Sequence, residues 1–167
     1  MTTEPPRTSP RLLFYVATAL LFALDQGTKV WALRHFVVQD WDIIPGWLTM
    51  TVAWNTGIAF SLFRGNNTWL LLVIGTLIVA AAVLCARKVD WRPRGANLLF
   101  ALFAAGALGN LLDRIRRGAV VDFIDVHAGI HHWPTFNVAD SCITIGAVLV
   151  VWQALFASHG SQTAKKS

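Results

Sequence analysis

The sequence predicts an all-α membrane protein built on four transmembrane helices, and three observations carry that prediction. Of its 167 residues, 55% are hydrophobic and only 14% charged, against roughly 45–50% and 25% in ordinary globular chains. Four apolar runs, beginning at Leu12, Trp69, Ala96 and Ser141, have the uncharged stretches that a helix needs to cross hydrocarbon. Most of the basic residues behind the net charge of +5 sit in short stretches flanking those runs. A basic chain with a pI of about 9.9 could also bind nucleic acid, but there is no basic stripe or RNA-binding motif, so no nucleic-acid partner is expected.

Residues 1–11 are polar, with Pro5, Pro6 and Pro10, and read as a cytoplasmic lead. Leu12–Leu24 follows Arg7 and Arg11 as a signal peptide would, and Ala17-Thr18-Ala19 even resembles a cleavage site. The apolar pattern resumes at Val30-Trp31-Ala32-Leu33, however, so an uncleaved first helix is the better reading. No Cys follows a small-residue triplet here, so the chain is not itself a lipoprotein precursor. Near the outer end of this helix Asp25 and Lys29 are four apart, on one face, where they can neutralise each other.

His35–Thr68 is too polar to span. Leu48, Met50, Val52 and Trp54 alternate there with Thr49, Thr51, Ala53 and Asn55, which is strand periodicity. Gly57 follows, where the backbone can turn or approach a ligand. Trp41, Trp47, Trp54 and Trp69 suit an interfacial belt, and the stretch is either a peptide-binding strand or an inert anchor. Trp69–Ala86 is the second helix and 87–94 a basic connection. Ala96–Leu112 is the third helix, rich in small residues that allow close helix contact, Gly106 and Gly109 among them. At its end Asn110, Asp113 and Arg114 share a face. Ser141–Ala157 is the fourth helix. Residues 12–157 thus form one domain, with 158–167 a cytoplasmic tail. Cys85 and Cys142 fall near opposite ends of their spans, about 30 Å apart, too far for a disulfide.

Four spans bring both termini to one side. Eight basic residues lie there (Arg7, Arg11, Arg87, Lys88, Arg92, Arg94, Lys165 and Lys166), against five on the other (Arg34, Arg64, Arg114, Arg116 and Arg117). That bias sets the termini in the cytoplasm.

The chemistry concentrates in Val120–Ser141. Asp122 and Asp140 are 18 positions apart, each among apolar neighbours at the edge of a span. A carboxylate at such a boundary is costly and is a functional candidate. Two of them can share one proton, one taking a proton from water while the other donates to a carbonyl, as peptide hydrolysis requires. The plainer alternative is that Asp140 caps the next helix and Asp122 decorates a loop. The loop between them carries His127, His131 and His132; the His-x-x-x-His spacing resembles a metal site, but no coherent ligand set accompanies it. An ion or proton transporter would also bury Asp25, Lys29 and Asn110, though the uncharged second and fourth runs argue against that. A metal-dependent phosphotransferase could use Asp122 and Asp125 to hold Mg²⁺.

Five blocks together resemble one family closely, the bacterial lipoprotein signal peptidases (signal peptidase II). They are Asp25-Gln26-Gly27-Thr28-Lys29, Asn55-Thr56-Gly57-Ile58-Ala59-Phe60, the run from Gly106 to Arg114, Val120-Val121-Asp122-Phe123 and Phe136-Asn137-Val138-Ala139-Asp140. Each alone is a weak signal; five in order, covering most of the chain, are a strong one. The resemblance implies an aspartic endopeptidase of the bacterial cytoplasmic (inner) membrane, multi-pass and monomeric. It would remove signal peptides from diacylglyceryl-modified prolipoproteins on the amino side of the lipidated Cys, in contact with membrane lipid, with no metal and no cofactor. It implies four transmembrane helices with a small extracytoplasmic β-cradle and an interfacial helix, and an active site near the extracytoplasmic face. Asp122 and Asp140 would be the catalytic dyad. Asn55, Gly57, Asn110, Arg114, Asn137 and Ala139 would line the substrate site, with Asp25, Lys29, Gly106 and Asp113 binding or supporting it.

Overall fold

The computed structural model describes residues 10–56 and 94–157. Within them lie three helices, α1 (Pro10–His35), α2 (Arg94–Arg117) and α3 (Val138–Ala157). Between them come the strands β1 (Trp41–Ile44), β2 (Leu48–Asn55), β3 (Val120–Ala128) and β4 (His131–His132). The strands form one antiparallel sheet in the order β1-β2-β3-β4. The expected second span, Trp69–Ala86, Cys85 and Gly57 lie outside the described residues, and the described residues hold no interfacial helix.

The helices pack on small residues. Phe14 of α1 is buried against Ala101 and Ala104 of α2, with Ala17, Leu21 and Phe100 around them. Further along, Asp25 and Lys29 meet Gly109, Asn110 and Asp113, so α1 and α2 run in the same direction. Helix α3 runs opposite, Gly106 facing Ala139 and Ile143 while Gly146 faces Phe103. The starts of α1 and α2 and the end of α3 therefore share one end of the bundle, and the sheet sits at the other. Asn55, at the close of β2, is at the sheet end, whereas Arg94 begins α2 at the other end of that 24-residue helix, which is about 36 Å long. The outward side of α1 is apolar, with Tyr15, Leu20 and Leu24 exposed. By length and composition, Asn97–Arg117 is the one described helix able to cross a membrane, and Val138–Leu149 is a shorter apolar one.

Two helix boundaries differ by three residues or more from those the sequence predicts. Helix α2 does not stop at Leu112 but runs on to Arg117, because Gly118 takes a left-handed φ of 72° and its N–H closes on the Arg114 carbonyl at 3.0 Å. Helix α3 begins at Val138 rather than Ser141, so Asp140 lies inside its first turn.

A second apolar cluster joins bundle to sheet. Ala32 and Phe36 from the end of α1 bury Phe123 of β3, with Met50, Val52, Ile124 and Val138 packed around. Phe36 continues the contact edge-on to Trp31 and Trp41, at ring separations of 4.7 and 5.3 Å. Trp41, Trp47 and Trp54 are all about half exposed or more.

The sheet corrects the simple alternation expected of β2. Met50 pairs with Ile124 but Ala53 with Asp122, so β2 takes three steps where β3 takes two. This is a bulge at Thr51–Val52, and it exchanges the faces of everything beyond it. Without it Trp54 would share a face with Met50; with it Asn55 does, beside Asp122. The expected loop between the two aspartates is likewise mostly strand. His127 lies on β3 and pairs across the turn with His132, and His131 with Ala128.

Candidate active site

Asp122 stands on β3 and Asp140 on the first turn of α3, and the segment between them folds back so that Asn137 touches both. Asn137 is the N-cap of α3. Its Oδ1 accepts the Asp140 N–H at 2.9 Å while Asp140 Oδ2 accepts the Asn137 N–H at 3.2 Å, a reciprocal capping box. The Asn137 Nδ2 donates to Asp122 Oδ1 at 2.6 Å. The second Asp122 oxygen accepts Asn55 Nδ2 at 2.9 Å, which the β2 bulge makes possible, and Asp140 Oδ1 accepts Asn110 Nδ2 at 2.7 Å. Asp140 therefore does cap its helix, as the plainer reading had it, but with one oxygen only.

Asp122 is 2% exposed. Burial first, and then the nearby Asp140 carboxylate, push its pKa up to about 7, against the opposing pull of the Asn55 and Asn137 hydrogen bonds and the Lys29 charge. Near neutral pH this carboxyl is poised to hold a proton. Asp140 accepts the Asn110 amide N–H on one oxygen and the Asn137 backbone N–H at the helix N-terminus on the other, so its two oxygens have different partners from those of Asp122.

Beneath the two aspartates lies a buried ionic cluster. The Lys29 ammonium is fully buried and has three acceptors at 3.0 Å, Asp25 Oδ2, Asp113 Oδ2 and Asn110 Oδ1. Arg117 pairs with Asp113 from one turn further along α2, so the four formal charges cancel. Each carboxylate also ties two elements together. Asp25 Oδ1 accepts the Ala139 N–H at 2.9 Å, fastening α1 to the start of α3, and Asp113 Oδ2 accepts the Val121 N–H at 3.2 Å, fastening α2 to β3. Breaking such a pair from one side strands a buried charge at a cost of roughly 3–5 kcal/mol. Arg114 donates to the Asn110 carbonyl at 3.3 Å and lies within electrostatic reach of Asp140, Asp122 and Asp113.

The sequence-predicted residues thus converge, except Gly57, which is outside the described set. Ala139 is fully buried between Asp25 and Gly109, on the scaffold side of the cluster. Three contributors were not singled out from sequence. Gln26 Nε2 bridges Asp25 Oδ2 at 3.0 Å and the Gly109 carbonyl at 3.3 Å; Gly109 leaves room for the Asp25 carboxylate; and Arg117 completes the charge balance. Arg117 was findable, being four residues after Asp113.

The residues of the two metal alternatives do not come together. Three steps along a strand turn Asp125 to the face opposite Asp122, where it pairs with His132 Nδ1 at 2.9 Å. His127 Nε2 lies 3.0 Å from Thr49 Oγ1, which in turn donates to Asp42, and its ring stacks on His132 at 4.7 Å. Among the described residues no three His, Cys, Asp or Glu side chains are grouped to hold an ion.

Comparison with known proteins points the same way as the geometry. A family model described as signal peptidase (SPase) II matches residues 17–156. The lipoprotein signal peptidase of Blochmanniella pennsylvanica (strain BPEN) is 44% identical over 135 residues, covering 78% of this chain and 81% of its own. That of Francisella tularensis subsp. novicida (strain U112) is 36% identical over 156 residues, 91% of this chain and 97% of its own. Two solved structures, each described as a bacterial membrane enzyme determined by the in meso method, superpose with TM-scores of 0.79 and 0.76. They are 30% and 31% identical, cover 89% and 86% of this chain, and are themselves covered over 91% and 92%. With Asn55 and the other four sequence blocks brought to one site and a family model matching residues 17–156, the chain belongs to the lipoprotein signal peptidase (signal peptidase II) family.

Proposed function

We propose that the protein is an aspartic endopeptidase of the bacterial cytoplasmic membrane. It removes the signal peptide from diacylglyceryl-modified prolipoproteins, cutting on the amino side of the lipidated Cys. The observation that carries this reading is the pair Asp122 and Asp140, joined through Asn137 and held in unlike surroundings. Asp140 as carboxylate takes a proton from a water molecule, whose oxygen attacks the scissile carbonyl carbon. Asp122 gives its proton to the carbonyl oxygen, yielding a tetrahedral diol. The C–N bond then breaks as Asp140 passes its proton to the leaving nitrogen and Asp122 recovers its own. Asn55 and Arg114 border the pair, at hand for the substrate backbone.

The distribution of basic residues supports one orientation in the membrane. One end carries the starts of α1 and α2 and the end of α3; Arg11 and Arg94 begin those helices, and in sequence Arg7 precedes α1 while Lys165 and Lys166 follow α3, which supports reading it as the cytoplasmic end. The sheet and both aspartates lie at the other, extracytoplasmic end.

Protonated Asp122 is the acid in this scheme, so its raised pKa predicts the alkaline limb. The carboxyl holds its proton below about pH 7 and loses it above, so kcat/KM falls about tenfold per pH unit beyond that point. A flat profile up to pH 9 would remove Asp122 from the role of acid.

Substrate lipid is expected to be required. Acyl chains held in the bilayer beside apolar helices align the scissile bond with the dyad and make attack effectively intramolecular. The test is cleavage of one precursor peptide with and without its diacylglyceryl group, in EDTA. The lipidated form should be cut at least about 10²-fold faster and the chelator should leave that rate unchanged. Equal rates would refute the proposed substrate class, and loss in EDTA restored by a divalent ion would refute the metal-free dyad.

A further inference from the structure

Asn110 sits between the buried ionic cluster and the dyad. Its Oδ1 accepts two donors, Lys29 Nζ at 3.0 Å and Asn137 Nδ2 at 3.2 Å, and its Nδ2 donates to Asp140 Oδ1 at 2.7 Å. Amide oxygen and nitrogen have nearly the same shape, so a side-chain amide can ordinarily turn over. This one cannot. An ammonium only donates and an ionised carboxylate only accepts, so turning the amide would set NH₂ against Lys29 and Asn137, and oxygen against Asp140.

Neutralising Asp25 and Asp113 would occupy two of the three N–H groups of Lys29, and Arg117 already shares Asp113. The third N–H goes to Asn110. A cation on an amide oxygen polarises the amide and strengthens the hydrogen bond its N–H donates. We propose that Lys29 is a positioning residue for the reaction: through the locked Asn110 amide it holds an N–H on Asp140, keeping that carboxylate ionised and aimed as the base. The proposal rests on the dyad reading above.

The groups facing Asp140 give the sign of the effect. Lys29 of α1 and Arg114 of α2 favour its charge; Asp25 of α1 and Asp122 of β3 oppose it. Losing the Lys29–Asn110 link must therefore raise the pH at which the base titrates, moving the acidic limb of kcat/KM upward.

Lys29→Met alone would leave two buried carboxylates short of a partner, and loss of folded protein would mask the effect. The informative variant pairs it with Asp113→Asn, which keeps the cluster neutral. Asp113→Asn by itself removes a negative charge and can only shift the acidic limb downward, so an upward shift in the double variant comes from Lys29. Per molecule of folded enzyme on a lipidated precursor peptide, the double variant should show its acidic limb about one pH unit higher. Its kcat should be about tenfold lower at pH 6, with KM little changed. A second variant, Asn110→Leu, deletes the same N–H while leaving Lys29 with Asp25 and Asp113, and must shift the limb in the same direction. A wild-type limb in either variant, with turnover restored in proportion to folded protein, is what a purely structural Lys29 gives and would overturn the proposal. Substantial cleavage by Asp140→Asn is a different failure, because it removes the dyad itself.

Discussion

Asp122→Asn and Asp140→Asn should each lower precursor turnover by at least about 10³-fold per molecule of folded enzyme, and the double substitution should be scarcely worse than either single one. An amide keeps the shape of the carboxyl but can neither take the proton of water nor pass one to a carbonyl. The two variants part company in stability. Asp122 has its pKa raised above the ordinary 3.8 to about 7, so between about pH 4 and 7 the folded state holds a proton that the unfolded chain releases. Wild-type stability therefore falls as pH rises through that window. Asp122→Asn removes this dependence, so its stability should no longer fall across that window, although its amide can accept only one of the Asn55 and Asn137 N–H groups. Asp140→Asn should lose stability at every pH. Asn110 and the Asn137 backbone both donate to Asp140, and an amide can accept only one of them, leaving a helix cap unmet at a cost of about 1–2 kcal/mol. Asp125→Asn, which gives up only a half-exposed contact with His132, should stay within about threefold of wild-type turnover. A dead Asp125→Asn, or an active variant at either dyad position, would show that the wrong carboxylates have been paired.

What the sequence made legible here follows from how local each signal is. Apolar runs mark α2 and α3 because burial in hydrocarbon depends on each stretch's own composition. Asp25 with Lys29 and Asn110 with Asp113 were readable because residues three and four apart must share a helical face. Joining Asp122 to Asp140 across 18 residues was another matter, since composition says only that each is costly where it stands. The β2 bulge was not legible, because alternation alone gives no sign that a strand takes an extra step, and that step depends on the partner strand. It decides whether Asn55 or Trp54 faces Asp122. The His-bearing segment read as loop because its pairing is only two residues long, held by turn geometry and His127–His132 stacking rather than by hydrophobic period. Gly109 also escaped. Its small size suggested close helix packing in general, while the atom that needs the space belongs to α1, more than eighty residues away in sequence.

That space makes Gly109 the most demanding site outside the dyad. A Cβ there would overlap Asp25 Oδ2 and stand 3.0 Å from its Cγ. The carboxylate cannot swing aside cheaply, because Lys29 and Gln26 hold that same oxygen at 3.0 Å and Ala139 holds the other at 2.9 Å. At Gly106 a Cβ would come within 2.5 Å of the Ala139 carbonyl and 2.7 Å of Ile143 Cγ1, so α2 and α3 would have to separate beside Asp140. In an isolated helix, Gly→Ala gains about 1 kcal/mol; overpacking costs about 1–3 kcal/mol, and more where backbone must move. The second effect should win at both sites. Gly109→Ala and Gly106→Ala are expected to lower thermal stability in detergent and to cut turnover of the surviving folded enzyme by at least about tenfold, since each displaces a helix end that aims a dyad member. Gly27→Ala is the counterpart on α1. Among the described residues nothing lies within 4 Å of its Cβ, so the helix-propensity gain should dominate and the melting temperature should hold or rise. Stabilisation at Gly106 or Gly109 of the size seen at Gly27 would mean that α1, α2 and α3 do not close on one another around Asp25 and Asp140.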